Sequence, residues 1–279
     1  MNEIVALGNV ILMRVEENEQ LAQFEITVLP QHRRQGLGRR LLQTIAEAAR
    51  ADDRHLLMTE TVDRIPEGEA FLNRIGAKKG LESHTNQPCL TDLNRRLLDE
   101  WLVYGQENLK EFEIGLWRGA YPEQEIQAIA DLWELTNQHP FGELEIEDMH
   151  VTTEQIRQSE QNIFARGIQR WIIHAVDRAT RKFARYTETT WNPNRPEIRM
   201  QEMTGVFPRF RNKGLGRWLI AVMLDQVLKE HPEIKYVRTG NADSNAAMLK
   251  INNELGIKPY MANTLWQVEI QKVMDYLHV

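Results

Sequence analysis

Residues 201–217 have the sequence QEMTGVFPRFRNKGLGR, and this stretch carries the strongest structural pattern of the chain. The pattern predicts a strand over 198–207, which Pro208 ends because proline has no N–H group for a strand ladder. Apolar residues that follow recur at helical spacing and predict a helix over 215–229. The sequence therefore predicts a strand, a short basic loop and a helix in direct succession.

The loop between this strand and helix has the features of an anion site. Gly214 and Gly216 allow the backbone to approach a ligand closely and to turn its N–H groups to one side. Those N–H groups, the helix N-terminus and the side chains of Arg211, Lys213 and Arg217 together suit a pyrophosphate. An ordinary strand-to-helix turn with a solvated basic face has a similar pattern, so the loop alone does not establish a site.

The same pattern occurs a second time, near the N-terminus. Residues 28–39 read VLPQHRRQGLGR, and identities recur at a constant offset of 178 positions (214 − 36 for the first glycine). The identical pairs include Pro30 and Pro208, Arg33 and Arg211, Gly36 and Gly214, Gly38 and Gly216, and Arg39 and Arg217. Spaced identities without slippage indicate an internal duplication of a domain. Neither copy has the Gly-Lys-Ser/Thr ending of a Walker loop or the Gly-x-Gly-x-x-Gly pattern of dinucleotide-binding proteins.

The shared pattern Val-x-Pro-x-x-Arg-x-x-Gly-Leu-Gly resembles motif A of the GNAT superfamily of acyl-CoA-dependent N-acetyltransferases. The resemblance covers most of 110–270 and, more loosely, 1–85. It implies an α/β fold of two tandem domains, each with a mixed, mostly antiparallel sheet flanked by helices. It also implies that the loop amides hold the pyrophosphate of coenzyme A. The strand before the loop would separate from its neighbour and admit the pantetheine and acetyl group.

The order of the predicted elements divides the chain into three segments. Residues 1–88 read as an abbreviated GNAT-like domain, which by comparison with the family lacks the first strand and the first two helices. Residues 89–109 are predicted to form a helical linker, because the segment is neither Gly/Ser-rich nor Pro-rich. Residues 110–279 are predicted to contain a complete GNAT domain, whose sheet is closed by a strand at 265–270.

Composition argues against several classes of protein. Hydrophobic residues make up 42% of the 279 positions and charged residues 27%, as in ordinary globular domains. The net charge of −6 argues against a general nucleic-acid-binding protein. Cys89 is the only cysteine and the histidines show no paired metal spacing, so we expect neither a disulfide framework nor a metal site. No apolar run is long enough to span a membrane, and we expect a cytoplasmic monomer or homodimer without nucleic-acid or membrane partners.

The resemblance assigns coenzyme A contacts to two motifs. They are Val206, Arg211, Asn212, Lys213, Gly214, Leu215, Gly216 and Arg217 in the loop, and Asn241 and Asn245 in the second motif. By the same resemblance, the amide of Val206 polarises the thioester carbonyl. The second motif resembles motif B, where an asparagine meets the pantetheine or phosphate arm. In the alternative interpretation, Asp243 or Ser244 caps a helix and the asparagines only shape the turn.

Two glutamates are candidates for drawing the proton from an attacking amine. Glu202 precedes Val206 by four residues, and strand alternation places Glu202, Thr204 and Val206 on one face. Several GNAT enzymes resemble this arrangement; the alternative is a surface glutamate on a half-exposed strand. The residue 178 positions before Glu202 is Phe24, which fits a first half kept for packing. Glu188, on a neighbouring strand, is the second candidate, and its alternative is again a solvated strand residue.

One departure from the family affects the expected chemistry. Many GNAT enzymes have a tyrosine four residues before the glycine that ends the motif B helix, and this tyrosine protonates the departing thiolate. Asn252 stands there in the second half and Leu72 in the first. Tyr260, Tyr186 or solvent would have to supply the proton instead.

These residues predict an N-acetyltransferase that moves an acetyl group from acetyl-CoA, its co-substrate, to a primary amine of an unknown small molecule or peptide. The active site is expected in the C-terminal domain, because Glu202 and the complete loop around Gly214 favour it. A non-catalytic acyl-CoA-binding or regulatory protein on the same fold is the alternative, and the missing tyrosine favours it. The first half could also bind coenzyme A, since its own loop is intact.

Overall fold

The computed structural model describes residues 3–13, 17–137, 142–148, 150–243 and 245–278. It confirms the α/β class, with mixed, mostly antiparallel strand pairing and packed helices. The strands are β1 Ala6–Leu12, β2 Leu21–Val28, β3 Leu56–Val62, β4 Lys78–Asn86, β5 Phe112–Arg118, β6 Gln169–Asp177, β7 Phe183–Trp191, β8 Ile198–Val206, β9 Tyr236–Ala242 and β10 Pro259–Glu269. The α-helices are α1 Leu37–Ala51, α2 Pro66–Arg74, α3 Arg95–Asn108, α4 Ile126–Asn137, α5 Thr153–Ala165, α6 Leu215–Glu230, α7 Ala246–Glu254 and α8 Ile270–Leu277.

The chain divides into two compact units. Unit 1 consists of Met1–Ser83, Pro140–Met149 and Met261–Val279, and unit 2 of His84–His139 and His150–Tyr260. The C-terminal segment therefore groups with the N-terminal strands, because Asn263–Glu269 of β10 pairs antiparallel with β3. The sequence-based division into 1–88, 89–109 and 110–279 places that segment in the second half instead. As a statement about separately folding domains, that division stays a prediction.

Unit 1 is built around β1, β2, β3 and the greater part of β10. β1 pairs antiparallel with β2 from Ala6 opposite Val28 to Leu12 opposite Ala22, without a shift in register. β2 and β3 pair in parallel only where Leu21–Gln23 lies beside Leu56–Met58. Helices α1 and α8 contribute to the buried core of this unit, which includes Leu42, Ile45, Ala46, Ala49, Leu57, Trp266, Val273 and Met274.

Unit 2 contains five strands in the order β9-β8-β7-β6-β5. β5 to β8 are antiparallel neighbours, whereas β8 and β9 are parallel. Successive residues of β6 belong to two different cores, because side chains alternate between the faces of a strand. Ile173 packs in the core that includes α3 and α6, and Ile172 packs in the core that includes α4 and α5.

The helix predicted in the linker is part of the core of unit 2. α3 buries Leu98 and Trp101 in the core that α6 also lines. Gly105 of α3 lies so close to Trp218 of α6 that an added Cβ would be 2.1 Å from the indole ring. Arg95–Asn108 of the predicted linker therefore forms a packed helix.

Local signals define where the helices of unit 2 begin. Thr152 caps α5 by accepting from the N–H of Gln155 at 3.2 Å, and Gln155 Oε1 accepts from the N–H of Thr152 at 2.9 Å. This reciprocal capping box defines the start of α5.

Trp266 should be required for the C-terminal strand to stay in unit 1. Its side chain is 1% exposed, and its Nε1 donates to Thr61 Oγ1 at 2.8 Å. Trp266→Ala should lower the free energy of unfolding by about 3–5 kcal/mol through the cavity that it leaves. Hydrogen–deuterium exchange should show lost amide protection in β2 and β3. Gln271→Ala, an exposed change in the same segment, is the control, and lost protection confined to β5–β7 would contradict the grouping.

Candidate active site

The parallel pairing of strands β8 and β9 in unit 2 ends just before Glu202. Their parallel pairing runs from Ile198 opposite Tyr236 to Gln201 opposite Thr239, and it ends there. β8 nevertheless continues to Val206, and β9 continues for three residues beyond Thr239. The central strand therefore separates from its parallel neighbour along its last five residues, 202–206.

On its other side, β8 carries one extra residue relative to β7. Thr187 pairs with Thr204 and Thr189 pairs with Gln201, so two residues of β8 lie opposite the single residue Glu188. Such a β-bulge bends the strand and redirects its side chains, and bulges are frequent beside active sites. The two residues in the bulge are Glu202 and Met203. The corresponding pair of unit 1, β1 and β2, keeps a continuous register, and Phe24 is buried at the matching position.

The bulge overturns the expectation that Glu202, Thr204 and Val206 share one face. Thr190 Oγ1 donates to Glu202 Oε1 at 2.6 Å, whereas Thr204 Oγ1 lies 2.8 Å from Thr187 Oγ1. Thr187 and Thr190 are three residues apart on β7 and so point to opposite faces. Glu202 is therefore on the face of Thr190 and Glu188, and the extra residue turns Thr204 to the opposite face.

Glu188 is buried, with two polar partners. The Tyr121 hydroxyl donates to Glu188 Oε2, and Arg170 Nη1 lies 3.8 Å from the same oxygen. Burial has the largest effect and raises the pKa of Glu188 to about 7, against the lowering effects of Arg170 and the Tyr121 hydrogen bond. The charge of Glu202 raises this pKa further. Glu188 is thus a carboxyl group that can hold or release a proton near neutral pH, and not a solvated strand residue.

The two duplicated loops have the same backbone conformation. Gly36 and Gly214 precede α1 and α6 with φ of 81° and 86°, a left-handed conformation that glycine adopts without strain. Two residues earlier, Arg34 and Asn212 both have φ of 63°. The equivalent arginines also bond alike: Arg33 Nε donates to Val28 O at 3.2 Å and Arg211 Nε to Val206 O at 3.3 Å. The sequence duplication is therefore also a duplication of geometry.

The surroundings of the two loops differ. In unit 2, Tyr104 of α3 covers Gly214, where an added Cβ would lie 3.0 Å from the tyrosine ring. A cavity of about 420 Å³ lies between α3 and this loop, with Trp101 among its walls. Of the loop cations, Arg217 forms a bidentate ion pair with Glu254, in which Nε donates to Oε2 at 2.7 Å and Nη2 donates to Oε1 at 2.9 Å. At Gly36 of unit 1, an added Cβ would have no neighbour within 4 Å among the described residues.

The asparagines of the second motif have different environments. Asn245 caps α7, because its side chain accepts from the N–H of Met248 at 3.2 Å. Asn241 is buried and its Nδ2 has no hydrogen-bond partner among the described residues. Asp243 bonds to His84 Nδ1 at 2.6 Å and does not cap the helix, and Ser244 lies outside the described residues. Asn241 is thus the one of the pair with a polar group available to a ligand.

The position of the missing tyrosine is enclosed. Asn252 is buried, and its Nδ2 also has no partner among the described residues. Tyr186, one suggested substitute, is fully buried, where its hydroxyl accepts from Trp133 Nε1 at 2.6 Å and donates to Met203 Sδ at 2.9 Å. An enclosed, bonded phenol is poorly placed to protonate a departing thiolate.

Three residues near the predicted site carry no local sequence signal. Thr190 meets Glu202 across the pairing of two strands, and Tyr121 reaches Glu188 across 67 residues of chain. Arg185 lies under the first turn of α6, on a strand that runs through both cores. The alternation of β7 alone does not show which neighbours these side chains have.

Within the described part of the chain, no cluster of three or more histidine, cysteine, aspartate or glutamate residues is arranged to hold a metal ion. None of the described helices is both long enough and apolar enough to cross a membrane.

Comparisons with known proteins show what the chain is similar to. A model described as an acetyltransferase (GNAT) domain matches residues 2–76, which include the first loop. A solved tandem GNAT protein from the clavulanic acid biosynthesis pathway is 26% identical, with a TM-score of 0.77 over 90% of this chain and 75% of that one. No curated protein matches the sequence.

Two more distant structures share the fold. A GCN5-related N-acetyltransferase from Sphaerobacter thermophilus is 14% identical, with a TM-score of 0.64 over 95% of this chain and 77% of that one. Another from Kribbella flavida is 13% identical, with a TM-score of 0.54 over 88% and 80%. These matches extend over both halves of the chain, beyond the segment that the family model covers.

The duplication supplies a matched test of packing under the second loop. Gly216→Ala would place a Cβ 2.6 Å from Arg185 Nη1, whereas Gly38→Ala would meet only Phe71, at 3.9 Å. Both changes bring the same gain in helix propensity, about 0.5–1 kcal/mol. Chemical denaturation should therefore show Gly38→Ala as stabilising, and Gly216→Ala as at least about 1 kcal/mol less stable than Gly38→Ala. Equal effects of the two changes would contradict the close approach at Gly216.

The raised pKa of Glu188 gives a pH dependence of stability. Between its ordinary value of 4.5 and about 7, the unfolded chain releases this proton while the folded chain keeps it. The free energy of unfolding should therefore fall across that range because of this group. Glu188→Gln, which can still accept from Tyr121, should gain stability relative to the unmodified protein as the pH rises from 4.5 to 7. Parallel urea-denaturation curves for the two proteins across this range would contradict a buried, protonated Glu188.

Proposed function

We propose that this chain is a tandem GNAT protein and an N-acetyltransferase that uses acetyl-CoA. The acceptor is a primary amine of a small molecule or peptide, and transfer takes place in unit 2. The observation that carries this proposal is the bulge in β8. It begins at Glu202, which lies on the face of Glu188 at the level where β8 leaves β9, and it turns Thr204 and Val206 to the opposite face.

The loop residues fit the diphosphate of coenzyme A. Gly214 begins α6 in the left-handed conformation, so the free N–H groups of the first helical turn are available to an anion. Arg211, Asn212 and Lys213 are exposed beside them. Leu215, Gly216 and Arg217 form that first turn, and Asn241 offers a buried, unpartnered amide at the end of β9. Asn245 contributes by holding the start of α7.

The residues around Glu202 can perform the proton transfer that the reaction needs. Bound acetyl-CoA supplies an acetyl thioester, whose carbonyl carbon forms a bond to the amine nitrogen as its bond to sulfur breaks. Glu202, exposed and oriented by Thr190, accepts the proton that the amine loses, directly or through a water molecule. The amide of Val206 donates to the thioester oxygen, where negative charge develops. Solvent returns a proton to the sulfur, since Tyr186 is enclosed.

Glu188 acts through Glu202 and not on the acceptor itself. Tyr121 and Arg170 surround its carboxylate, which is 10% exposed. A protonated Glu188 adds no negative charge beside Glu202, whereas an ionised Glu188 adds one. The protonation state of Glu188 therefore changes the charge beside the proposed base, and Glu188 is a positioning residue for the reaction.

The alternative is an acyl-CoA-binding or regulatory protein without turnover. The observation that favours it is Asn252, a buried amide at the place of the usual tyrosine. The two proposals agree on coenzyme A binding and differ only in transfer. A cytoplasmic location and a monomeric or homodimeric state stay predictions under both.

Replacing the proposed base should separate these alternatives. Glu202→Gln should lower kcat by about 10²–10⁴-fold, the usual contribution of a general base, and leave the Kd for acetyl-CoA unchanged. The measurement is release of the coenzyme A thiol from acetyl-CoA in the presence of a panel of polyamines, aminoglycosides and peptides. Glu197→Gln is the matched control, an exposed glutamate just before β8 that pairs with Lys235.

Two outcomes would contradict the enzyme. Binding of acetyl-CoA without transfer to any amine in the panel would favour the non-catalytic protein. Transfer that is equally fast in Glu202→Gln and Glu197→Gln would show that the bulge does not supply the base.

A further inference from the structure

A buried arginine lies directly beneath the loop that is proposed to hold the diphosphate. Arg185 is on β7, opposite Val206 of β8, and its side chain is 7% exposed. A Cβ added to Gly216 would lie 2.6 Å from Arg185 Nη1, 2.7 Å from Nη2 and 2.9 Å from Cζ. The guanidinium group therefore packs against the backbone of the first turn of α6, and only glycine leaves room for it there.

The Nε of this guanidinium is enclosed and has no hydrogen-bond partner among the described residues. Other buried arginines are compensated: Arg170 pairs with Glu160, and Arg54 pairs with Asp52. Arg199 is compensated in part: its Nε donates to Thr189 and its guanidinium stacks on the ring of Trp171 at 4.1 Å, but its Nη1 and Nη2 have no partner among the described residues. Arg185 is a buried cation whose pKa no charged neighbour shifts and whose Nε has no partner among the described residues.

The neighbour of this cation makes its position more unfavourable in the free protein. The first turn of a helix presents free N–H groups and carries a partial positive charge. A guanidinium against that turn adds positive charge where the field is already positive. Burial alone lowers the pKa of Arg185 to about 9, and no acidic group offsets that effect. An anion over the loop would satisfy both sources of positive charge at once.

We propose that Arg185 contributes affinity and specificity for the diphosphate of coenzyme A at the Gly214–Gly216 loop, so that unit 2 selects phosphorylated thioesters over shorter ones. This inference rests on the proposed coenzyme A site. Arg185 acts from below the helix turn, through its charge, while the loop amides hold the anion from above. Binding then removes an electrostatic penalty that the free protein carries.

The first copy of the loop lacks this charge. The residue 178 positions before Arg185 is Leu7, which is 62% exposed. The two loops share backbone conformation and the same glycines, but only the second has a buried cation under its helix. Leu7 therefore provides a control position within the same chain.

The test compares Arg185→Met with Arg185→Lys and with the control Leu7→Met in the full chain. Titration calorimetry with coenzyme A should give an affinity at least tenfold weaker for Arg185→Met and little changed for the other two. Pantetheine, which lacks the phosphates, should bind unmodified protein and Arg185→Met alike. Thermal unfolding of free Arg185→Met should begin no earlier than that of the unmodified protein, since the change removes an uncompensated buried charge. A merely structural arginine would instead lower stability and leave affinity within twofold, which would overturn the proposal.

A second measurement applies if Arg185→Met does not fold. The Nε–Hε NMR resonance of Arg185, identified by its absence in Arg185→Lys, should shift on addition of coenzyme A and stay in place with pantetheine. An unmoved resonance in protein saturated with coenzyme A would refute the role. Amine acetylation that is as fast in Arg185→Met as in the unmodified protein, with unchanged affinity, would refute the role while leaving the proposed function intact. Tenfold weaker coenzyme A binding in a protein that acetylates no amine would support the role while refuting the enzyme.

Discussion

The single extra residue of β8 opposite Glu188 is the constraint on which the proposed chemistry depends. An ideal antiparallel pair that continues from Thr189 opposite Gln201 would keep both Glu202 and Thr204 on the face of Glu188. The bulge leaves Glu202 on that face, where Thr190 bonds it, and turns Thr204 and Val206 to the other face. Pairing with β9 ends at the same level, which leaves the bulged segment without a parallel neighbour. Unit 1 has the separation of strands but no bulge, and it has Phe24 instead of a carboxylate.

Duplication has preserved the loops and altered what surrounds them. Gly36 and Gly214 have nearly the same backbone angles, and the arginine before each makes the same hydrogen bond. Around the second loop, however, the structure adds Tyr104 above and Arg185 below. Anion binding at a helix N-terminus is a property of the backbone, whereas its strength depends on nearby charge. The two copies can therefore share a recognition motif and still differ in affinity.

The sequence predicts local features well, because they depend on neighbouring residues. Proline and glycine define the strand end and the loop, apolar spacing defines α1 and α6, and Thr152 with Gln155 defines the start of α5. The exact repetition of five positions also makes the duplication visible without a structure. Contacts between segments that are distant in the sequence are not predicted in this way. The bulge, the Tyr121 hydrogen bond to Glu188 and the return of β10 to β3 all depend on packing that no short pattern encodes.

A structure of the chain in complex with acetyl-CoA would test directly whether the thioester binds beside Glu202. We expect the diphosphate to lie against the Gly214–Gly216 backbone and the acetyl group to lie in the gap beside β8, next to Glu202. Acetyl-CoA bound only at the Gly36–Gly38 loop would contradict this expectation, because the residues proposed for proton transfer would then lie away from the thioester.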